Sequence, residues 1–163
     1  MKKALIVSLL SLTVLFAGLT GLASAVDVVI TAAVPNVFSV TIDSGAAVSF
    51  PLDADSLATG TPVAGSVPSV IRVKSNRLFS FSHEAANFVG LVPANVLPVS
   101  NMTYSTVSSD DTIAGNFVAG VTQLHASHSR GNQTFTTAYT LTADLNVEPD
   151  TYSTTVTYSA VQN

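Results

Sequence analysis

The stretch SVIRVKSNRLFSFSHE, residues 69–84, decides the fold. Ile71, Val73 and Ser75 alternate with Arg72, Lys74 and Asn76, so one side of an extended segment is largely apolar and the other polar and charged. Successive strand side chains point to opposite faces, and a period of two marks a half-buried strand. After Arg77 the alternation resumes with Phe79 and Phe81 on the inner side. Two amphipathic segments in tandem predict antiparallel strands with one packed face.

The same period extends in both directions. VFSVTI (37–42) puts Phe38, Val40 and Ile42 on one face and Val37, Ser39 and Thr41 on the other. AVSFPL (47–52) repeats it with Val48, Phe50 and Leu52, and NMTYSTV (101–107) is a further strand. TFTTAYTLTADLNV (134–147) aligns Phe135, Thr137, Tyr139, Leu141, Ala143, Leu145 and Val147. TYSTTVTYSAVQ (151–162) aligns Tyr152, Thr154, Val156, Tyr158 and Ala160. The segment FVAGVTQLHASHS (117–129) fits either a strand with a glycine bulge or a short helix. PLDADSLATGTPVAGSVPS (51–69) is rich in Pro, Gly, Ser and Asp and reads as a long loop, and SSDDTIAGN (108–116) reads as a turn region.

About seven to nine strands at this spacing, with no amphipathic helix, predict an all-β, immunoglobulin-like antiparallel β-sandwich. Pro149-Asp150-Thr151-Tyr152 before the last strand fits a corner in which the tyrosine hydroxyl reaches back to nearby backbone. A core tyrosine at a strand start fits equally.

The chain opens MKKALIVSLLSLTVLFAGLTGLASA: two lysines, an apolar run, then Ala23 and Ala25 in an A-x-A pattern. This reads as a secretory signal peptide over residues 1–25, cut after Ala25, and not as a retained anchor. The mature chain, 26–163, is one β-sandwich domain, secreted or displayed at the cell surface. It has four basic residues against ten acidic ones, a net charge of −6, which argues against nucleic-acid or anionic-membrane partners. It has no long apolar run after the leader, so no membrane span is expected in the mature protein. Cysteine is absent, so the fold is held by packing and hydrogen bonds alone. Ser and Thr supply 34 of the 138 mature residues, a composition that suits strands.

Catalytic patterns are missing. His125 and His128 are three apart, which on a regular strand sends them to opposite faces, so with His83 they read as exposed residues and not as a metal site. The acids Asp53, Asp55, Asp110, Asp111, Glu148 and Asp150 fall in loops without a calcium-loop spacing and read as solvated turn residues. No G-x-S-x-G elbow and no phosphate-binding glycine loop occurs. Lys74, the single lysine of the mature chain, alternates with inward residues and should face solvent, which argues against an isopeptide crosslink. Arg72, Lys74 and Arg77 form a small basic strip that reads as a solvated sheet face. Asn101 and Asn132 stand in N-x-T sequons and are candidate N-glycosylation sites. The expectation is therefore a protein that is not an enzyme and that carries no cofactor and no metal.

The remaining lead is the mature N-terminus, VDVVITAAVPN (26–36). Val26, Val28, Ile30, Ala32 and Val34 share one side of an extended segment that ends at Pro35. It is either the first strand of its own sandwich or a donor strand, residues 26–35, for a neighbouring copy. Strand addition at an open edge takes affinity from backbone hydrogen bonds and register from alternate side chains. An N-terminal donor joins subunits head to tail into an open filament.

ITAAVPNVFSV near the start, then VIRVKSN, NMTY and LNVEPDTYSTTVTY, follow one another in an order that resembles secreted fimbrial subunits of the spore-coat-U type. More loosely, the layout is similar to donor-strand bundling pili and biofilm-matrix fibres. The spore-coat-U pattern carries cysteines, absent here, and its turn glycine is replaced by Asp150. The resemblance implies a structural subunit of a pilus, fimbria or surface layer, active in cell adhesion. Such a subunit would be built by donor-strand complementation into a homopolymer. The competing expectation is a monomeric secreted module that binds cell-wall or surface glycans, with the first strand folded in cis.

Overall fold

The computed structural model describes residues 30–163. The expected signal peptide, residues 1–25, and the expected donor positions Val26 and Val28 lie outside the described residues. By their contacts, Met1–Val34 and Pro35–Asn163 are separate units. In the first, Ile30–Val34 belong to no strand and are exposed, Ile30 at 89 % and Val34 at 81 %.

The second unit is nearly all β. In chain order it contains β1 (Phe38–Ser44), α1 (Ala54–Thr59), β2 (Val63–Ala64), β3 (Ser69–Ser75), β4 (Phe79–Ala85), β5 (Phe88–Val89) and β6 (Val96–Leu97). A 3-10 turn (Val99–Asn101) leads to β7 (Met102–Val107), followed by β8 (Thr112–Asn116), β9 (Gln123–His128), β10 (Gly131–Leu141) and β11 (Val156–Gln162). Eight of these strands have five or more residues and the other three have two. The larger sheet runs β1-β3-β10-β7-β8, with β2 added to β10, and the smaller runs β11-β4-β9. Every strand pairing among the described residues is antiparallel.

The two sheets stack as the alternation requires. Ile71 and Val73 of β3, Phe79 and Phe81 of β4 and Phe135 of β10 are all fully buried in one cluster. Phe81 stacks on Phe135 with ring centroids 3.9 Å apart, which fastens the smaller sheet to the middle of the larger one. A second cluster gathers Phe88, Leu97, Met102, Tyr104, Phe117, Tyr139 and Leu141. Inward hydroxyls find partners: Thr106 and Thr137 bond each other at 2.9 Å across β7 and β10.

Several details depart from the expectations. The loop after Pro51 contains α1, six residues long. Asp53 caps it, accepting from the Ser56 amide at 2.8 Å while the Ser56 hydroxyl takes the Asp53 amide at 3.0 Å, and Gly60 ends it in the left-handed region. Val48, Phe50 and Leu52 pack on the core without forming a strand. The turn region 108–116 contributes β8, which pairs with β7. Leu145 is exposed, because β10 ends at Leu141 and the inward alternation ends soon after it. The 117–129 segment is a strand from Gln123, not a helix, and its irregularity lies in β9 and not at Gly120. The histidines are the largest correction. His83, His125 and His128 are all buried. His83 simply continues the inward series Phe79, Phe81. His125 and His128 share the inner face because the register against β4 shifts between Ser80 and Ser82. Two residues of β9 there oppose one of β4, and the extra residue resets the alternation.

The tyrosine corner is present: the Tyr152 hydroxyl donates to the Glu148 carbonyl at 2.7 Å. Asp150, read as solvated, is a structural tie. Its carboxylate accepts from the amides of Leu91 (3.1 Å), Val92 (3.0 Å) and Thr151 (2.7 Å) and from Asn95 Nδ2 (3.0 Å). These bonds hold its carboxyl below the usual range and fasten the β5–β6 hairpin to the corner. A Cβ on Gly90 would stand 2.2 Å from that carboxylate and would push it out of these bonds.

Candidate functional site: an open edge between the sheets

The functional question turns on β1. Its register places Phe38, Val40 and Ile42 beside Ser75, Val73 and Ile71 of β3, so all six face the same side of the sheet. On β3 that side is core, and Ile71 and Val73 have no exposure. On β1 it is open: Phe38, Val40 and Ile42 are 40 %, 37 % and 53 % exposed. The cause is the unequal width of the two layers. The larger sheet ends in β1, but the smaller one has three strands and ends in β11. Among the described residues the outer edge of β11 pairs with no strand. A row of unpaired backbone groups therefore runs beside an uncovered apolar stripe.

The opening deepens toward the start of β11. A groove of about 650 Å³ is lined by Ile42, Val48, Phe50, Leu97, Val156 and Tyr158, among others, and bounded by the strap Asp150–Thr155 that follows the corner. Its floor carries a chain of hydroxyls. Tyr158 and Tyr139 share a short hydrogen bond, Tyr139 donates to Ser69 Oγ at 3.2 Å, and Ser69 donates to the Gly45 carbonyl at 2.7 Å. Burial raises the Tyr158 hydroxyl above its ordinary value of 10.0, so it stays a neutral donor. The far end is closed by Gln162, which donates to the Val37 carbonyl at 3.1 Å and to Ser75 Oγ at 2.9 Å and accepts from Asn36 at 3.0 Å. The groove is thus apolar along its sides, neutral and hydrogen-bonding at its floor, and free of charged side chains except Asp150, whose oxygens are already occupied.

Of the positions expected to form a donor strand, Ile30, Ala32 and Val34 are described and exposed, while Val26 and Val28 are not described. Asn132 is exposed near the start of β10, whereas Asn101 is half-buried at the end of the 3-10 turn. Lys74 is exposed, and Arg72 of the basic strip forms an ion pair with Asp43. Among the described residues no group of three His, Cys, Asp or Glu side chains is arranged to hold a metal ion. Two features were missed from sequence: the open edge and the contact between His83 and His125. The inward position of His83 was readable from the Phe79-Phe81-His83 spacing. The open edge was not, because alternation marks which side of β1 is apolar but not whether a second layer reaches it. Comparison with family models, with curated proteins and with solved structures gives no match, so the reading of this site rests on its geometry.

Proposed function

We propose that this protein is a non-enzymatic, exported structural subunit of an extracellular filament or surface layer. Copies join when residues 26–34 of one lie along the outer edge of β11 in the next. One observation carries the reading: the stripe Phe38, Val40, Ile42 faces the core side yet is uncovered beside the unpaired edge of β11. One more strand on that edge would cover it.

The N-terminal segment has the matching form. Its apolar residues recur at every second position through Val26, Val28, Ile30, Ala32 and Val34. Nine extended residues span about 30 Å, enough for the roughly 23 Å of a seven-residue strand such as β11. Backbone bonds to β11 would supply affinity, and the alternate side chains would enter the space over Phe38, Val40 and Ile42. A carbohydrate-binding module usually presents a platform of exposed aromatics. Here Phe38 is the one exposed aromatic among the described residues, and it belongs to the stripe.

Electron microscopy of purified mature protein tests the proposal, with Val28→Asp/Ile30→Asp and a chain lacking residues 26–34 as comparisons. Filaments from the native chain and none from either variant are expected, since each aspartate would bring a charge into a dry groove. Polymers that persist in both variants overturn the donor role. Monodisperse native particles overturn the filament reading.

A further inference from the structure

The histidine pair beneath the core supports a separate conclusion, independent of the assembly reading. Gln123 Nε2 donates to the Asn116 carbonyl at 2.7 Å. A carbonyl only accepts, so the orientation of that amide is settled and its Oε1 faces His83 Nε2 at 2.7 Å. His83 must therefore carry its proton on Nε2, which leaves Nδ1 as an acceptor. His125 Nε2 lies 3.0 Å from that Nδ1 and must be the donor. One backbone carbonyl thus dictates a relay through Gln123 and His83 to His125, with both rings neutral.

A proton added to His83 has one place to go, Nδ1, and there it meets the N–H of His125 head on. A proton added to His125 charges a buried ring beside its neighbour. The surroundings offer little relief. From β4 come His83 itself and Phe81, from β7 Tyr104, from the turn after β8 Phe117, and from β11 Tyr158. Glu84 is engaged with Thr122 at 2.8 Å. Asp111 favours a charge on His125, but burial and the fields of His83 and His128 outweigh it. His128 stands apart from the pair, with Asp110 3.6 Å from its Nδ1.

We infer that the His83–His125 pair is an acid-sensitive fastening: a proton taken up in the mildly acidic range breaks the bond between the rings and frees the edge strand β9 from β4. β9 is the element that can yield, because it ends its sheet and its register on β4 is already interrupted. The direction follows from linkage. Burial lowers both rings from the ordinary 6.5, His125 to about 4. The unfolded chain therefore takes up protons first, and stability is full above pH 6.5 and falls as the pH drops toward 4. The carboxylates Asp53, Asp110 and Asp150 all lie below 3.8, so their losses come at lower pH.

The test is denaturant unfolding of the mature protein from pH 7.5 to 4.5, with amide exchange read strand by strand. The expected result is a rise in the unfolding constant of about 70-fold between pH 7.5 and pH 4.5 from His125 alone. Amides of β9 should lose protection before those of β3 and β10. In His125→Phe much of that slope should vanish. A flat profile, loss of protection in β3 and β10 before β9, or an unchanged slope in H125F overturns the inference. Should H125F fail to fold, nitrogen NMR of the native imidazoles decides. His83 protonated on Nε2 alone at neutral pH supports the fastening, whereas a His83 Nδ1–H form, or either ring titrating near 6.5 with the fold intact, refutes it.

Discussion

Val40 and Val73 are register partners across β1 and β3 and point to the same side, yet Val73 is fully buried and Val40 is 37 % exposed. The same residue type, one strand apart, thus sits in the core and at its unroofed margin. The smaller sheet reaches β3 and stops short of β1. Substitutions at this margin should therefore divide into those that weaken the fold and those that disturb the open face.

Truncating the two valines should give unequal results. Val73→Ala should destabilise the isolated domain by about 2 kcal/mol, from lost burial and the space left behind. Val40→Ala should cost under about 1 kcal/mol, because water already reaches the site. Denaturant midpoints of the two variants measure the difference. On the assembly side the order should invert: Val40→Asp should leave a folded monomer while preventing growth of filaments, scored by electron microscopy and sedimentation.

Phe135 sits between Phe81, stacked at 3.9 Å, and Phe79, edge-on at 6.2 Å. Phe135→Ala should remove the main contact between the sheets and cost about 3–5 kcal/mol. Thermal unfolding followed by circular dichroism would record it, and a loss under 1 kcal/mol would mean that the sheets are held elsewhere.

Gly45 ends β1 with φ 68°, and a Cβ there would lie 2.1 Å from the Pro68 carbonyl oxygen. Gly45→Ala should therefore destabilise by about 1–3 kcal/mol through backbone strain and collision. The loss should be larger than that of Ala at Gly120, which also has a positive φ but an open surrounding. Paired melting curves of the two variants make the comparison.

Asp150→Asn keeps the shape of the corner but removes the charge that four donors share. The carboxyl is lowered from 3.8 by those bonds, so its contribution is complete above pH 3.8 and is lost as the pH falls through its lower folded value. The variant should melt below the native protein at pH 7, and the gap should close toward pH 2. Tyr152→Phe, which removes the bond to Glu148, should lower the melting temperature by a few degrees at every pH below the tyrosine range. A gap that stays constant for Asp150→Asn across that interval would show that its charge contributes nothing.

Much of the interior was readable residue by residue. The inner faces of β3, β4 and β10 follow from alternation, since Ile71, Val73, Phe79, Phe81, Phe135, Thr137, Tyr139 and Leu141 are all buried as their spacing requires. The corner at Glu148–Tyr152 was one of two readings that the sequence allowed equally, and the bond from the Tyr152 hydroxyl to the Glu148 carbonyl selects it. The capping box of α1 was present as Asp53 and Ser56 and was obscured by its Pro- and Gly-rich surroundings. A six-residue helix has too little periodicity to register.

Local sequence, then, determined which residues face inward, because a strand has two sides and burial selects the apolar one. It did so for β1 as well, where Phe38, Val40 and Ile42 are aligned as a core face. Whether that face is covered depends on how many strands the opposing layer contains and where it ends, which no stretch of β1 encodes. The meeting of His83 with His125 is of the same kind. It needs a shifted register between strands some forty positions apart and a carbonyl at Asn116 to orient the amide between them. Alternation is a property of one segment and can be read from it. An open edge and a buried relay are properties of several segments at once, and only their packing decides them.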